Sequence, residues 1–220
     1  MSRGVMFDGI HSYDDLDLIL KHIDIETPKP KVQFLEIEGA DGVEDVTNAL
    51  TDVTFFNNRK LTFTFARASD FQSYEILIPK VLNMLHGKRM KIVLDDDNTW
   101  YYDGRVYVDE ADSNRIVDEF TVSCDCSPYK MSVSKCVKRH NVDGSANGSI
   151  DYLGSKVVTP TLECQIYEGK TLQLVLNGTT YYSLANGVNI VPDFLIKSGI
   201  NSYSFVGNGY VTLSYVMGVL

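Results

Sequence analysis

Residues 61–65 read Leu-Thr-Phe-Thr-Phe, so Leu61, Phe63 and Phe65 alternate with Thr62 and Thr64. A period of two sets three large apolar side chains on one face and two hydroxyls on the other, the pattern of a strand with one buried face. The thirty residues before it are organised in the same terms. An extended run over 34–38 meets the turn Gly39-Ala40-Asp41-Gly42, followed by an acidic segment over 43–51 and a short run over 53–56. A second turn, Asn57-Asn58-Arg59-Lys60, then feeds the alternating strand, with Arg59 at the turn. Gly39 and Gly42 tolerate the positive φ that tight turns need, and Asp41 can bond its own backbone two residues on.

The rest of the chain is mostly short strand-like runs punctuated by turn residues. Residues 7–25 read as strand, polar turn and strand, and Thr27-Pro28-Lys29-Pro30-Lys31 as a stiff connector, since each proline fixes φ and removes a donor. One segment changes period. Asp70 can cap a helix, Leu77, Val81, Leu82 and Leu85 fall on one helical face, Gly87 is a natural stop, and Pro79 marks either the start or a kink. Residues 91–94, 99–102 and 105–108 then read as strands, with Asp95-Asp96-Asp97-Asn98 and Asp103-Gly104 as turns. Near residue 130 the composition shifts toward Gly, Asn and Ser, which places a domain boundary there and divides the chain into 1–130 and 131–220. In the second part, strands are expected over 157–161, 162–167, 171–176, 179–182, 187–191, 202–206 and 210–216. Glu168-Gly169-Lys170, Asn177-Gly178 and Gly207-Asn208-Gly209 are the turns between them.

Local signatures of catalysis are absent: there is no Gly-x-Ser-x-Gly elbow, phosphate loop, dinucleotide fingerprint or His-Glu-x-x-His helix. His11, His22, His86 and His140 are scattered without a nucleophile partner, so no catalytic, cofactor-binding or metal-binding residue is assigned. Asp95, Asp96 and Asp97 are consecutive and point in different directions, which suits a solvated turn. Residues 143–154 imitate a calcium loop, but Ser145 stands where an acid or amide belongs and Gly154 where a bidentate Glu belongs. Cys124 and Cys126, two apart in a strand-like run, face one way. With Cys136 and Cys164 they lack the spacing of a zinc knuckle and read as reduced structural thiols. Charge is uneven: residues 1–130 carry 14 Lys and Arg against 24 Asp and Glu, and residues 131–220 carry 6 against 5. An acidic first part argues against gripping phosphates, which takes clustered cations. No basic leader with an apolar core opens the chain and no apolar run approaches a membrane span, so synthesis in a cytoplasm is expected.

Glu36-Ile37-Glu38-Gly39-Ala40-Asp41-Gly42, then Asp45-Val46-Thr47, then Asn57-Asn58-Arg59 and Leu61-Thr62-Phe63 resemble, in that order, the N-terminal domain of siphophage distal tail proteins. Met6-Phe7-Asp8-Gly9-Ile10-His11-Ser12, followed by residues 18–20, resembles the start of that family. The ending, Gly199-Ile200-Asn201-Ser202-Tyr203-Ser204-Phe205 and Val211-Thr212-Leu213-Ser214-Tyr215, resembles its C-terminal galectin-like domain. The resemblance implies a mainly β protein: an N-terminal β-sandwich with one α-helix, then a galectin-like β-sandwich. It marks Gly39, Asp41, Gly42, Thr47, Arg59, Leu61, Phe63 and Phe65 as structural motif positions. It implies a non-enzymatic, cofactor-free virion component made in a bacterial cytoplasm, the hub of a long non-contractile tail tip. Six N-terminal domains would close into a ring, able to stack on a second ring, that continues the DNA channel without sequence-specific binding or membrane insertion. The tail tube protein, a tail-tip protein and receptor-binding proteins are the implied partners. The alternative is a carbohydrate-binding module. The C-terminal part has tyrosines but no Trp and no dense His/Asn/Arg/Trp/Glu constellation, so it reads as a docking surface, with host binding delegated to other proteins and no cell-wall binding by this chain alone.

Overall fold

The computed structural model describes residues 4–47, 49, 53–68, 74–109 and 119–220. Among the described residues the protein is mainly β with one α-helix, its sheets built from antiparallel pairs, and it divides into two compact units, Met1–Pro128 and Tyr129–Leu220.

In the first unit, seven strands pair in the order β2 (Ile10–His11), β1 (Val5–Phe7), β7 (Arg89–Leu94), β8 (Trp100–Val108), β9 (Glu119–Cys126), β6 (Arg59–Arg67) and β3 (Leu18–Ile25). A separate two-strand ribbon joins β4 (Phe34–Leu35) to β5 (Glu44–Asp45). Strands β1 and β6 stand four places apart, roughly 19 Å in a flat sheet. Yet the rings of Phe7 and Phe63 meet edge to face with centroids 5.9 Å apart. The sheet therefore curls over its own core. Leu61, Phe63 and Phe65 sit in the centre of that core, fully buried, with Phe7, Ile92 and Val122. Helix α1 (Tyr74–Leu85) adds Leu77, Val81 and Leu85 to it, spaced to share one face. Leu82 lies off that face and is exposed, and Pro79 lies inside the helix rather than at its start. The Asp70 cap expected from sequence falls outside the described residues.

Asp103-Gly104 is not a turn: β8 runs straight through it, pairing Gly104 with Cys126. A Cβ on Gly104 would stand 2.4 Å from Cys126 Sγ and 2.6 Å from the Asp125 carbonyl oxygen, so glycine is required by a close approach between strands. Likewise Arg59 is the first residue of β6, and residues 53–56 are not a strand but carry the isolated bridge Pro30–Phe56.

The second unit is built around one long ribbon, β11 (Cys136–Tyr152) paired with β16 (Gly199–Tyr215) over all 17 residues of each. The sequence reading expected no strand over 136–152 and broke the second strand at Gly207-Asn208-Gly209. The pairing is continuous, but the ribbon does bend there. Gly144 (φ +78°) and Gly207 (φ +126°) face each other in register. Residues eleven apart in a straight strand would be roughly 37 Å apart. Lys138 Nζ nevertheless donates to the Ser149 carbonyl, and Tyr152 and Tyr215, at opposite ends of the ribbon, stack edge to face at 5.8 Å. The folded ribbon thus provides two facing layers. One half of β16 continues to β12 (Thr161–Ile166) and β15 (Gly187–Ile190), the other to β13 (Leu172–Leu176) and β14 (Thr180–Ser183). Leu162, Val211 and Leu213 meet Ile150, Leu174 and Phe205 between them. Residues 157–160 are not a strand; Val158 makes only a bridge to Ile196. The short strands β10 (Lys130–Ser132) and β17 (Gly218–Val219) pair with each other.

His140 and Tyr203 lie across this fold, with Nε2 and the hydroxyl oxygen 2.9 Å apart. Burial pushes the Tyr203 phenol up to about 12, so its O–H donates to a neutral imidazole. Burial and then Lys138 hold His140 below its ordinary 6.5, so the folded state resists a proton that the unfolded chain accepts. Stability is therefore retained above pH about 6.5 and falls as pH drops through the lowered folded value. The unfolding midpoint should decline between pH 7 and pH 5 more steeply in the parent than in His140→Gln. Parallel declines would contradict this assignment.

Candidate assembly surface

Between β3 and β6 the chain leaves the sheet and returns. Ile25 pairs with Leu61 at the base, where the Glu26 amide donates to the Lys60 carbonyl at 3.0 Å. Farther out, the Asn57 amide reaches the Lys29 carbonyl and the Lys31 amide the Phe55 carbonyl, both at 2.8 Å. Phe34 then pairs with Asp45 and Leu35 with Glu44, and the tip turns at Gly39 (φ +85°) and Gly42 (φ +81°), conformations that suit glycine. Asp41 lies exposed in this tip. The described residues of 26–58 thus form an irregular hairpin arm on a regular base.

Thr47 fastens the arm. Its hydroxyl accepts from the Gln33 amide at 2.9 Å, while its own amide donates to Asp45 Oδ1 at 2.9 Å. The Thr47 side chain and amide hold the Asp45 carboxyl below the usual carboxylate range. Arg59, at the root, is buried, with its guanidinium 5.5 Å from the centre of the Tyr102 ring. Its Nε and Nη2 are buried without a hydrogen-bond partner among the described residues.

No described residue of 26–58 belongs to the hydrophobic core of the unit. Val32, Phe34, Leu35, Ile37, Val43 and Phe55 are each 48–57% exposed. Six large apolar side chains thus stand exposed on a hydrogen-bonded arm attached to a well-packed sheet, which makes the arm the candidate interaction surface of this unit. The sequence reading placed the turn but missed this exposure. The signal was present as apolar residues without a regular period, interleaved with acidic ones over 32–45.

Reactive chemistry does not gather elsewhere among the described residues, where no group of three His, Cys, Asp or Glu side chains could hold a metal ion. His11 Nδ1 pairs with Asp14 at 3.0 Å and its Nε2 with Asp95 at 3.2 Å, so the first acid of the triplet ties two loops together. His86 Nδ1 accepts from the Val108 amide at 3.0 Å. Burial pushes the Cys126 thiol up to about 12 and the Cys164 thiol to about 11, and raises Cys124 as well, which keeps all three protonated and unreactive. No described helix is long and apolar enough to cross a membrane.

Neither a family model nor a curated protein matches this sequence. Among solved structures, the crystal structure of SPP1 Dit (gp 19.1), described as a paradigm of the hub adsorption apparatus of phages that infect Gram-positive bacteria, superposes with a TM-score of 0.71 at 16% identity. The match covers 99% of this chain and 100% of that one. Along essentially its whole length, this chain has the fold of SPP1 Dit.

Proposed function

We propose that this protein is a structural hub of a long non-contractile phage tail tip, residing in the virion. The observation that carries the reading is a fold shared with SPP1 Dit from end to end. In this reading six first units close head-to-tail into a ring between the tail tube and the adhesion device. Such a ring needs a heterologous interface whose rotation closes, and the exposed apolar arm supplies one side of it. The acidic balance of residues 1–130 suits a lumen through which DNA slides without adhering. The second unit, read as galectin-like, is left to dock tail-tip and receptor-binding proteins. The fold shared with SPP1 Dit, a hub protein, supports a non-enzymatic role.

Light scattering after size exclusion, with negative-stain images, tests this. Six copies of 24.7 kDa give 148.2 kDa, in a particle with a central hole. A chain that stays monomeric even with its tail-tube and tail-tip proteins added would overturn it. A Phe34→Ser, Leu35→Ser, Phe55→Ser triple variant should lose the ring while keeping its thermal transition within about 3 °C, because the three side chains are already exposed. An intact ring from that variant would remove the arm from the interface.

A further inference from the structure

The second unit has an opening in its sheet that the hub reading leaves without a role. Strands β12 and β16 pair at Thr161 and Ser214, and beyond that pair the two chains part. They meet again where the Ser155 and Lys156 amides both donate to the Gly218 carbonyl, at 2.9 and 3.1 Å. Pro160, with a fixed φ and no N–H, stands where the ladder ends beside Thr161. Between these two pins lies an open cleft of about 420 Å³, which Met131 and Lys135 also line.

Three properties of this cleft define its ligand. First, Lys135 and Lys156, two of the six cations of residues 131–220, line it and no carboxylate does. The Lys156 ammonium has only the Met131 thioether at 3.8 Å, a weak acceptor, and Lys135 makes no hydrogen bond or ion pair among the described residues. Second, the Val157 and Thr159 amides donate to no described group. Val158, between them, spends its N–H and C=O on Ile196 at 3.1 and 2.8 Å. Backbone groups of adjacent residues in an extended segment face opposite edges, so Val157 and Thr159 offer theirs on the side away from Ile196. Third, Met131, Val157, Val158 and Val216 give the cleft an apolar wall.

We infer that this opening binds an acidic peptide segment, whose aspartate or glutamate carboxylate enters between the two ammoniums and the unpaired amides. Charge-assisted hydrogen bonds hold the carboxylate, and apolar side chains flanking it in the peptide lie on the valines. An unpaired backbone edge is also what an extended peptide can join with its own main chain. A free phosphate would leave the apolar wall uncovered, and a metal ion would find no carboxylate. The site escapes the sequence because 157–161 and 210–216 read there as unbroken strands, and only the parting of the two makes the opening. The inference holds whether or not the first units close into a ring.

The experiment is calorimetric titration of the intact chain with an end-blocked hexapeptide of alternating valine and glutamate. It should saturate with a Kd of about 1 mM or tighter. Its glutamine counterpart should bind about tenfold more weakly. Lys135→Met and Lys156→Met should each weaken the glutamate peptide about tenfold, while Lys170→Met, in an exposed turn, leaves it unchanged. The exposed Lys135 decides if the Lys156 variant fails to fold. Absence of saturation by the glutamate peptide, equal binding of the two peptides, parent-like binding by the cleft variants, or tighter binding of inorganic phosphate than of the peptide would overturn the proposal.

Discussion

Phe63→Ala destabilises the first unit by about 3–5 kcal/mol, the range for removing a fully buried aromatic side chain. Phe63 is completely buried, lies between Ile23 and Val122 across the sheet, and touches the rings of Phe7 at 5.9 Å and Phe65 at 6.2 Å. The Phe7 contact joins strands four places apart, so the truncation opens a cavity at the point where the curled sheet closes. Trp100, the single tryptophan, stands in the same unit, and its fluorescence in a denaturant titration reports the loss. The midpoint should fall with the slope unchanged. Thr62→Ala, on the opposite face of the same strand, should cost less than about 1 kcal/mol. A shift of comparable size for both would mean that closure does not depend on this ring pair.

The second large effect belongs to Gly207→Val, which removes the second unit's fold, at a cost of about 4 kcal/mol or more. Gly207 has φ +126°, and a Cβ there would stand 2.0 Å from the Thr171 carbonyl oxygen and 2.9 Å from the Leu172 Cα. Both obstacles are backbone, so no rotamer change relieves them. Its partner in register, Gly144, separates the two causes: φ is +78°, but nothing lies within 4 Å of its Cβ position. Gly144→Ala should cost only the conformational penalty, about 1–2 kcal/mol. Near-UV circular dichroism of the second unit's tyrosines measures both. Equal losses would place the cause in backbone conformation rather than in the contact with Thr171.

The sequence showed most plainly what is periodic and local. The alternation through Leu61, Phe63 and Phe65 became the buried face of β6, and the Leu77, Val81, Leu85 spacing became the core face of α1. The Asn177-Gly178 turn appears where it was expected, with both residues at positive φ. What misled was glycine in a long strand. Gly104, Gly144 and Gly207 carry the same local signal as a turn, but the first admits a neighbouring thiol and the other two bend a ribbon without ending it. That distinction depends on what sits opposite, and a linear pattern does not hold it. The arm was hidden for a related reason: exposure of Phe34 and Phe55 follows from where the core ends, which a linear pattern does not hold either.

The bent ribbon also constrains how the chain can acquire its structure during synthesis. Strand β11 has its main partner in β16, which begins 47 residues after β11 ends, and each layer needs its own half of β16. Neither layer can close until that last long strand has left the ribosome, so β11 waits with both edges unpaired while the first unit, complete by Pro128, can already be packed. The charged Lys138 and Arg139 on the waiting strand are suited to that interval, since they discourage pairing with other nascent chains.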